Sequence, residues 1–289
     1  MGRLNNVAHR AVATVERDKK LDKIAGPVAS AVRKATRGTS MKNALSGTWL
    51  GHQLHPALTD LPIGSWVAAT TLDLIGGDKS ADAARHLVGL GVVTAIPAAA
   101  SGASDWADSY GGPQRVGLVH AAANGAGTLL QVWSWIARRR GARGLAVALS
   151  LAGLGLTLGA AYLGGHLSFA RGVGVNHTAF EQDAAKWTDV AAATDLTDTE
   201  PLRVTAAGVP VVLVKAGDKI HALSATCTHA GGPLDQGRID SSGCVVCPWH
   251  GSKFRIETGE VERGPATVPQ PMWDAKVEND RVWVRSAAA

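Results

Sequence analysis

Cys227, His229, Cys247 and His250 form two short clusters, Cys-Thr-His and Cys-Pro-Trp-His, with seventeen residues between His229 and Cys247. Two thiolates and two imidazoles delivered as two short loops suit a centre of two irons and two sulfides, with both Cys on one iron and both His on the other. Each loop then spans the whole cluster. A tetrahedral zinc site could use the same residue types. Zinc fingers, however, usually keep the Cys pair together and the His pair together, whereas here Cys-x-His is followed by Cys-x-x-His. The spacing favours the iron–sulfur chemistry.

The stretches CTHAGGPLDQG, CVVCPWHGSKF and ERGPATVPQP extend the pattern beyond the donors. Through them, and over roughly residues 186 to 286, the chain resembles the Rieske [2Fe-2S] domain family. The resemblance implies that Cys227 and Cys247 bind the buried ferric iron, and His229 and His250 the outer, redox-active one. It implies that Gly251 and Ser252 form the tight turn after the second loop, and that Gly264 and Pro265 belong to a third loop shielding the cluster from water. It also marks departures. High-potential members tie their two loops with a disulfide, and the matching positions here are Gly232 and Trp249; Phe254 stands where those members carry a tyrosine hydroxyl. Without the bridge and one donor, the potential is expected below the top of the Rieske range of about −150 to +300 mV. Cys244, in an apolar run, reads as a buried strand residue.

Short β-strands surround these loops. VPVVLVKAGDKIHAL reads as two strands joined at Ala216-Gly217-Asp218, and KVENDRVWVR as a hairpin turning at Asn279-Asp280. The first half of the chain is different in kind. Val116 to Ala137, Gly144 to Ala170 and His86 to Ser104 contain no Asp, Glu, Lys or Arg over 22, 27 and 19 residues. Each is long enough to cross a bilayer. Thr59 to Gly76 is a fourth candidate whose Asp60 and Asp73 would fall near the interfaces. GLGLTLGAAYLGG supplies the small residues that let membrane helices approach closely. The expected fold is multidomain: a basic segment 1–45, an α-helical four-span transmembrane bundle 46–176 (spans about 59–76, 86–104, 116–137 and 144–166), and an all-β Rieske-type domain 177–289. A buried soluble helical core is the competing reading of the helices.

The overall charge of +5 hides an asymmetry: residues 1–45 carry +7, 46–180 carry +2 and 181–289 carry −4. Leu21, Ile24, Val28 and Val32 recur near a helical period, as in a helix lying on an anionic membrane surface, although a solvated arm would share this charge. No aromatic interleaving accompanies the charge, so no nucleic-acid partner is expected. Four spans put the basic head and the β domain on one face and the loop Arg138-Arg139-Arg140-Gly-Ala-Arg143 on the other, so the positive-inside rule gives conflicting orientations. No secretory or twin-arginine signal is read at the N-terminus, and the β domain is expected on the cytoplasmic face of the cell membrane.

HPALTDLPIG, SGASDW, HAAAN and GGH, over roughly residues 45 to 175, resemble an uncharacterised family of four-helix bacterial membrane proteins. That resemblance implies fold and location only. In alternating spans, His52, His55, His120 and His166 fall on one face. They are candidates to hold haem b or a metal, with Asn124 four residues after His120 placed to orient it. Interfacial histidines that only cap helices and bind headgroups are the competing reading. The function expected is a membrane-anchored carrier of single electrons between a membrane donor, quinol or haem, and a redox partner protein or the quinone pool. A redox sensor or docking module with the helices as anchor is the alternative. A Rieske oxygenase would need a further mononuclear iron on two His and a carboxylate, and no such arrangement follows the C-terminal domain.

Overall fold

The computed structural model describes residues 2–198 and 200–287, so the outermost ends of the expected 1–45 and 177–289 segments lie outside it. The chain is a helical N-terminal region followed by a β domain. Its compact units are 1–37 with 54–173, and 38–53 with 174–289. The stretch 38–53, which straddles the expected boundary at 45/46, therefore folds with the β unit.

In the helical unit, α1 (Gly2–Arg17) and α2 (Asp22–Ala35) precede four long helices, α4 (Leu54–Ile75), α5 (Ala81–Trp106), α6 (Gly111–Arg139) and α7 (Arg143–Gly165). The short α3 (Thr39–Ser46) belongs to the other unit. Small and polar residues share the interior of the four long helices with a few large apolar ones: Ser65, Ala69, Ser101, Gln131, Ser134, Ser150 and Thr157 are buried beside Trp66, Val88, Val116 and Leu154. Leu61, Leu74, Leu90, Ile96, Leu129, Trp133 and Leu158 are exposed. α6 and α7 meet at Gly127 and Gly153, where a Cβ on either glycine would lie 2.9 Å from the other's carbonyl oxygen. Buried polar groups pair across the same interface: Gln131 donates to Ser150 O at 3.0 Å, Ser150 donates back to its amide oxygen at 2.9 Å, and Ser134 donates to Ala146 O at 2.7 Å. Asp73 of α4 and Arg138 of α6 form an ion pair with side chains 1% and 4% exposed.

Among the described residues, two helical stretches are suited to crossing a membrane by length and composition, Gly77–Trp106 and Arg143–Ala170. α4 and α6 fall short of the four-span expectation. Asp60 and Asp73 interrupt the first, and His120, Asn124, Gln131 and Ser134 make the second more polar.

The β unit has two antiparallel sheets. The larger runs β1 (Thr188–Ala192), β10 (Arg281–Ser286), β9 (Met272–Glu278), β4 (Lys219–Ser224), β3 (Val209–Ala216), β2 (Leu202–Ala206). The smaller runs β5 (Arg238–Ile239), β6 (Cys244–Val246), β7 (Lys253–Arg255), β8 (Val261–Arg263). The two expected hairpins form. Asn279 and Asp280 both take positive φ, +52° and +57°, as a tight two-residue turn with the strands' own twist requires. β3 is buried on both faces, and strand alternation divides it between two cores. Val211 and Leu213 pack with Ala222, Val282 and Val284, while Val212 and Val214 pack with Leu223, Cys227, Leu234, Cys247 and Phe254. The second core is thus the floor on which the donor loops stand.

Candidate metal centre

The first donor loop leaves β4 and the second joins β6 to β7; both fold the same way. Cys227 N–H donates to Gly232 O at 2.8 Å and Gly231 N–H to Cys227 O at 2.9 Å. In the second loop Cys247 N–H donates to Ser252 O at 2.8 Å and Gly251 N–H to Cys247 O at 3.1 Å. The backbone N–H groups of His229 and Ala230 bond the Cys227 sulfur, and those of Trp249 and His250 the Cys247 sulfur. Each loop therefore turns a sulfur inward over amide donors and sends a histidine outward two or three residues later.

Cys227 and Cys247 are 1% and 3% exposed and share a hydrogen bond. That bond lowers Cys247 to about 7, with the backbone donors adding to it, and drives Cys227 well up. The shared bond and the backbone donors thus favour a thiolate at Cys247, the form a metal binds. Burial holds the His229 imidazolium down to about 3, helped by His250, Lys42 and His177, so the ring is neutral and can ligate. The Nδ1 atoms of His229 and His250 lie 3.2 Å apart with rings near perpendicular at 86°. Two nitrogens each about 2.1 Å from one metal at a tetrahedral angle stand about 3.4 Å apart, so this pair fits a single ion. Among the described residues no three His, Cys, Asp or Glu side chains converge on one point. A thiol pair and a histidine pair are the donor set that two irons joined by sulfide would take.

A third loop closes over the first two. Its Gly264–Pro265 bond is cis, and Ala266 N–H donates to the Ser252 hydroxyl at 3.0 Å. Arg263 donates to Gly251 O and Gly264 O, both at 2.9 Å. Gln270, which the sequence reading did not single out, is 2% exposed and ties this loop to the first. Its amide donates to Ser224 O at 2.7 Å and Thr226 O at 2.6 Å and accepts from Thr228 N–H at 3.3 Å. A Gln between two prolines in a loop was the one available signal. Phe254 lies in the core beneath the loops, and Cys244 is a fully buried β6 residue paired with Arg255.

Of the four histidines read in the first half of the chain, the structure brings His55 and His120 together. His52 lies in the 38–53 stretch, exposed, its Nδ1 3.0 Å from Gln53 O. His55 and His120 are neighbours, ring centroids 6.3 Å apart, their Nδ1 atoms bonded to Ala98 O at 2.9 Å and Ala160 O at 2.8 Å. Asn124 does meet His120, its amide 3.2 Å from Nε2, which engages that ring's second nitrogen. His166 bonds Glu16 of α1 at 3.1 Å, a partner no local pattern announces. The arrangement gives haem b no support, because His120 and His166 are already engaged by protein groups.

Two sheets bearing two Cys/His loops under a proline loop define an iron–sulfur electron-transfer domain. The Rieske [2Fe-2S] domain family matches residues 186–276, and the family described as Predicted membrane protein (DUF2231) matches residues 51–177. The chain belongs to the Rieske family through its C-terminal domain, with the predicted membrane protein domain before it. Ferredoxin CarAc of Metapseudomonas resinovorans is 33% identical over 99 residues, covering 34% of this chain and 92% of the ferredoxin. Apoptosis-inducing factor 3 of Homo sapiens is 42% identical over 77 residues, 27% of this chain, and the chain spans only 13% of that protein's length. A solved complex of reduced oxygenase and oxidized ferredoxin in carbazole 1,9a-dioxygenase matches with 31% identity and a TM-score of 0.34, covering 36% of this chain and 97% of that one.

Proposed function

We propose that this protein is a membrane-anchored one-electron carrier, with Cys227 and Cys247 on one iron and His229 and His250 on the other of a [2Fe-2S] cluster. The observation that carries the reading is the separation of the donors into a buried thiol pair and a histidine pair with facing Nδ1 atoms 3.2 Å apart. When bound, the cluster supplies a single reversible electron. The chain's own residues shape its use: amide donors aimed at the Cys sulfurs stabilise added negative charge, and Ser252, accepting from Ala266, keeps its own proton for the cluster side. The likeness to a ferredoxin supports a soluble or membrane redox protein as the partner, with the quinone pool as the other candidate on the donor side.

Four helices as spans is supported by the many small and polar residues between them and the large aliphatic residues on their outer faces, a pattern that suits lipid as the solvent. The ten Lys and Arg of residues 1–45 support a cytoplasmic placement of that segment and of the β domain. The test is redox titration of the protein reconstituted in lipid vesicles. A carrier that resists carbonate extraction and titrates as a one-electron couple supports the proposal; a two-electron couple or release from the vesicles contradicts it.

A further inference from the structure

Within the helical unit, α1 and α2 are fastened across one end of the long helices. Arg115, near the start of α6, donates to both carboxylate oxygens of Asp22 at 2.7 Å and to Glu16 O at 2.6 Å. Arg33 of α2 donates to Ala107 O, just past α5, and lies over the Tyr110 ring at 5.7 Å. The Glu16 carboxylate accepts from Arg171 at 2.6 Å and bonds His166 at 3.1 Å, both beyond the end of α7. Two of the segment's three acids are thereby turned toward the long helices, and the third, Asp18, accepts from Lys20 N–H at 3.0 Å. Arg10, Arg17, Lys19, Lys20, Lys23 and Lys34 are exposed, and among the described residues no carboxylate lies within ion-pair distance of them. An open groove of about 850 Å³ beside α1 is lined by Arg10, Thr14, Arg17 and Lys20, with Asp18 its one acid.

α2 has three sides. Ala25 and Ala29 are fully buried. Ile24 and Val28, 57% and 43% exposed, continue through Ala31 and Ala35 as an outward apolar stripe. At about 100° per residue this stripe lies about 100° from the Ala25–Ala29 row on one side and from Lys23 and Lys34 on the other. Leu21 and Val32, expected on the same stripe, turn partly inward. A solvated arm has no use for such a stripe, and neutral apolar surroundings would have none for the cations beside it.

Resting on the reading of α5, α6 and α7 as spans, we propose that the α1–α2 hairpin lies in the headgroup layer of the bilayer and binds anionic phospholipid. Ile24, Val28 and Ala31 enter the acyl boundary, while Arg10, Arg17, Lys20 and Lys23 hold the phosphates. The helix ends to which the hairpin is fastened are where spans leave the hydrocarbon, which sets its depth. Lysine and arginine stems run along apolar surface and carry their charge out to the headgroups. Each such cation strengthens the attraction to an anionic surface about fivefold. The inward pairing of Glu16 and Asp22 removes the negative charges that would oppose it.

The experiment is amide hydrogen exchange across residues 20–35 of the full chain reconstituted in phosphatidylcholine vesicles, with and without about 30% phosphatidylglycerol. The anionic lipid is expected to slow exchange at least about fivefold, and high salt to reverse most of that slowing. Replacing Arg10, Arg17, Lys20 and Lys23 together by Gln is expected to leave less than about twofold slowing. Val28→Asp, which keeps every cation, is expected to lose at least about half of it. Wild-type slowing below about twofold, or equal slowing in the neutralised variant, overturns the proposal. Slowing by added polyglutamate in pure phosphatidylcholine, with none from phosphatidylglycerol, overturns it in favour of an acidic protein as the occupant. A chain that carbonate releases from the vesicles defeats the reading of the helices as spans. The hairpin is then judged by cosedimentation at neutral pH, where binding to phosphatidylglycerol vesicles that the Gln variant lacks supports it and equal binding by both overturns it.

Discussion

Gly231 and Gly251 occupy equivalent places in the two donor loops: each lies four residues after a cysteine, donates its N–H to that cysteine's carbonyl, and takes a left-handed φ, +76° and +71°. Each reverses the chain just past its histidine so that thiol and imidazole leave the same loop in different directions. Gly251→Ala is expected to cost about 1–2 kcal/mol, because a Cβ disfavours the left-handed region. It would also crowd Arg263 Nη1 at 3.3 Å. Urea unfolding followed by tryptophan fluorescence checks this, and an unchanged midpoint would refute the strain.

Gln270→Leu should be the most damaging change outside the donors. It strands Ser224 O, Thr226 O and Thr228 N–H in a site the glutamine now fills at 2% exposure. Each buried group left without its partner costs about 1–3 kcal/mol. Loss of cooperative unfolding, or a midpoint far below wild type, is the expected result.

Ser252→Ala should lower the cluster potential while leaving the spectrum's shape intact. It removes a hydroxyl that accepts from Ala266 at 3.0 Å and can donate toward the centre. Losing a donor destabilises the more negative, reduced state, and a tenfold effect corresponds to about 59 mV. A rise in potential would contradict the assignment of Ser252 as donor.

Acid should weaken the second loop's base before the rest of the β domain. Burial alone would raise the Asp240 carboxyl, but bonds from Lys253, the Ser242 hydroxyl and the N–H groups of Cys244 and Ser242 outweigh it and hold the carboxyl well below its usual range. A depressed folded value means the stabilisation is complete above the unfolded value of 3.8 and is lost as pH falls below it toward the folded one. Tm of the cluster-free chain should fall steeply below about pH 4, and Asp240→Asn should flatten that slope while lowering Tm at pH 7.

In the helical unit, Asp73→Asn alone should destabilise by about 3–5 kcal/mol, since it leaves a buried guanidinium without its counter-ion. Replacing Asp73 and Arg138 together by Leu and Met should recover most of the loss, read as thermal aggregation in detergent. Equal losses in the single and double variants would contradict a coupled pair.

The two Cys/His loops proposed to hold the cluster stand out in the sequence because each is a local pattern, with Cys, His and Gly within five residues of each other. Helices and hairpins were legible for the same reason. What stayed hidden depends on distant pairing: Asn43 meets Gly264 221 positions away, and His166 meets Glu16 150 positions away. Placing four histidines on one face of a bundle fixes neither their depth nor their partners: His55 meets His120, while His166 turns to Glu16. A basic head read only for its charge concealed Lys42 and Asn43, whose buried face shows only once α3 is folded against β8.

Low-temperature EPR on the dithionite-reduced full chain, beside its Cys227→Ser and His250→Ala variants, tests the ligand set most directly. Ligation by two cysteines and two histidines gives a Rieske signal with nitrogen hyperfine structure in the wild type, abolished by either substitution while membrane insertion persists. A wild type that binds zinc without iron, or an unaltered signal in either variant, would contradict it.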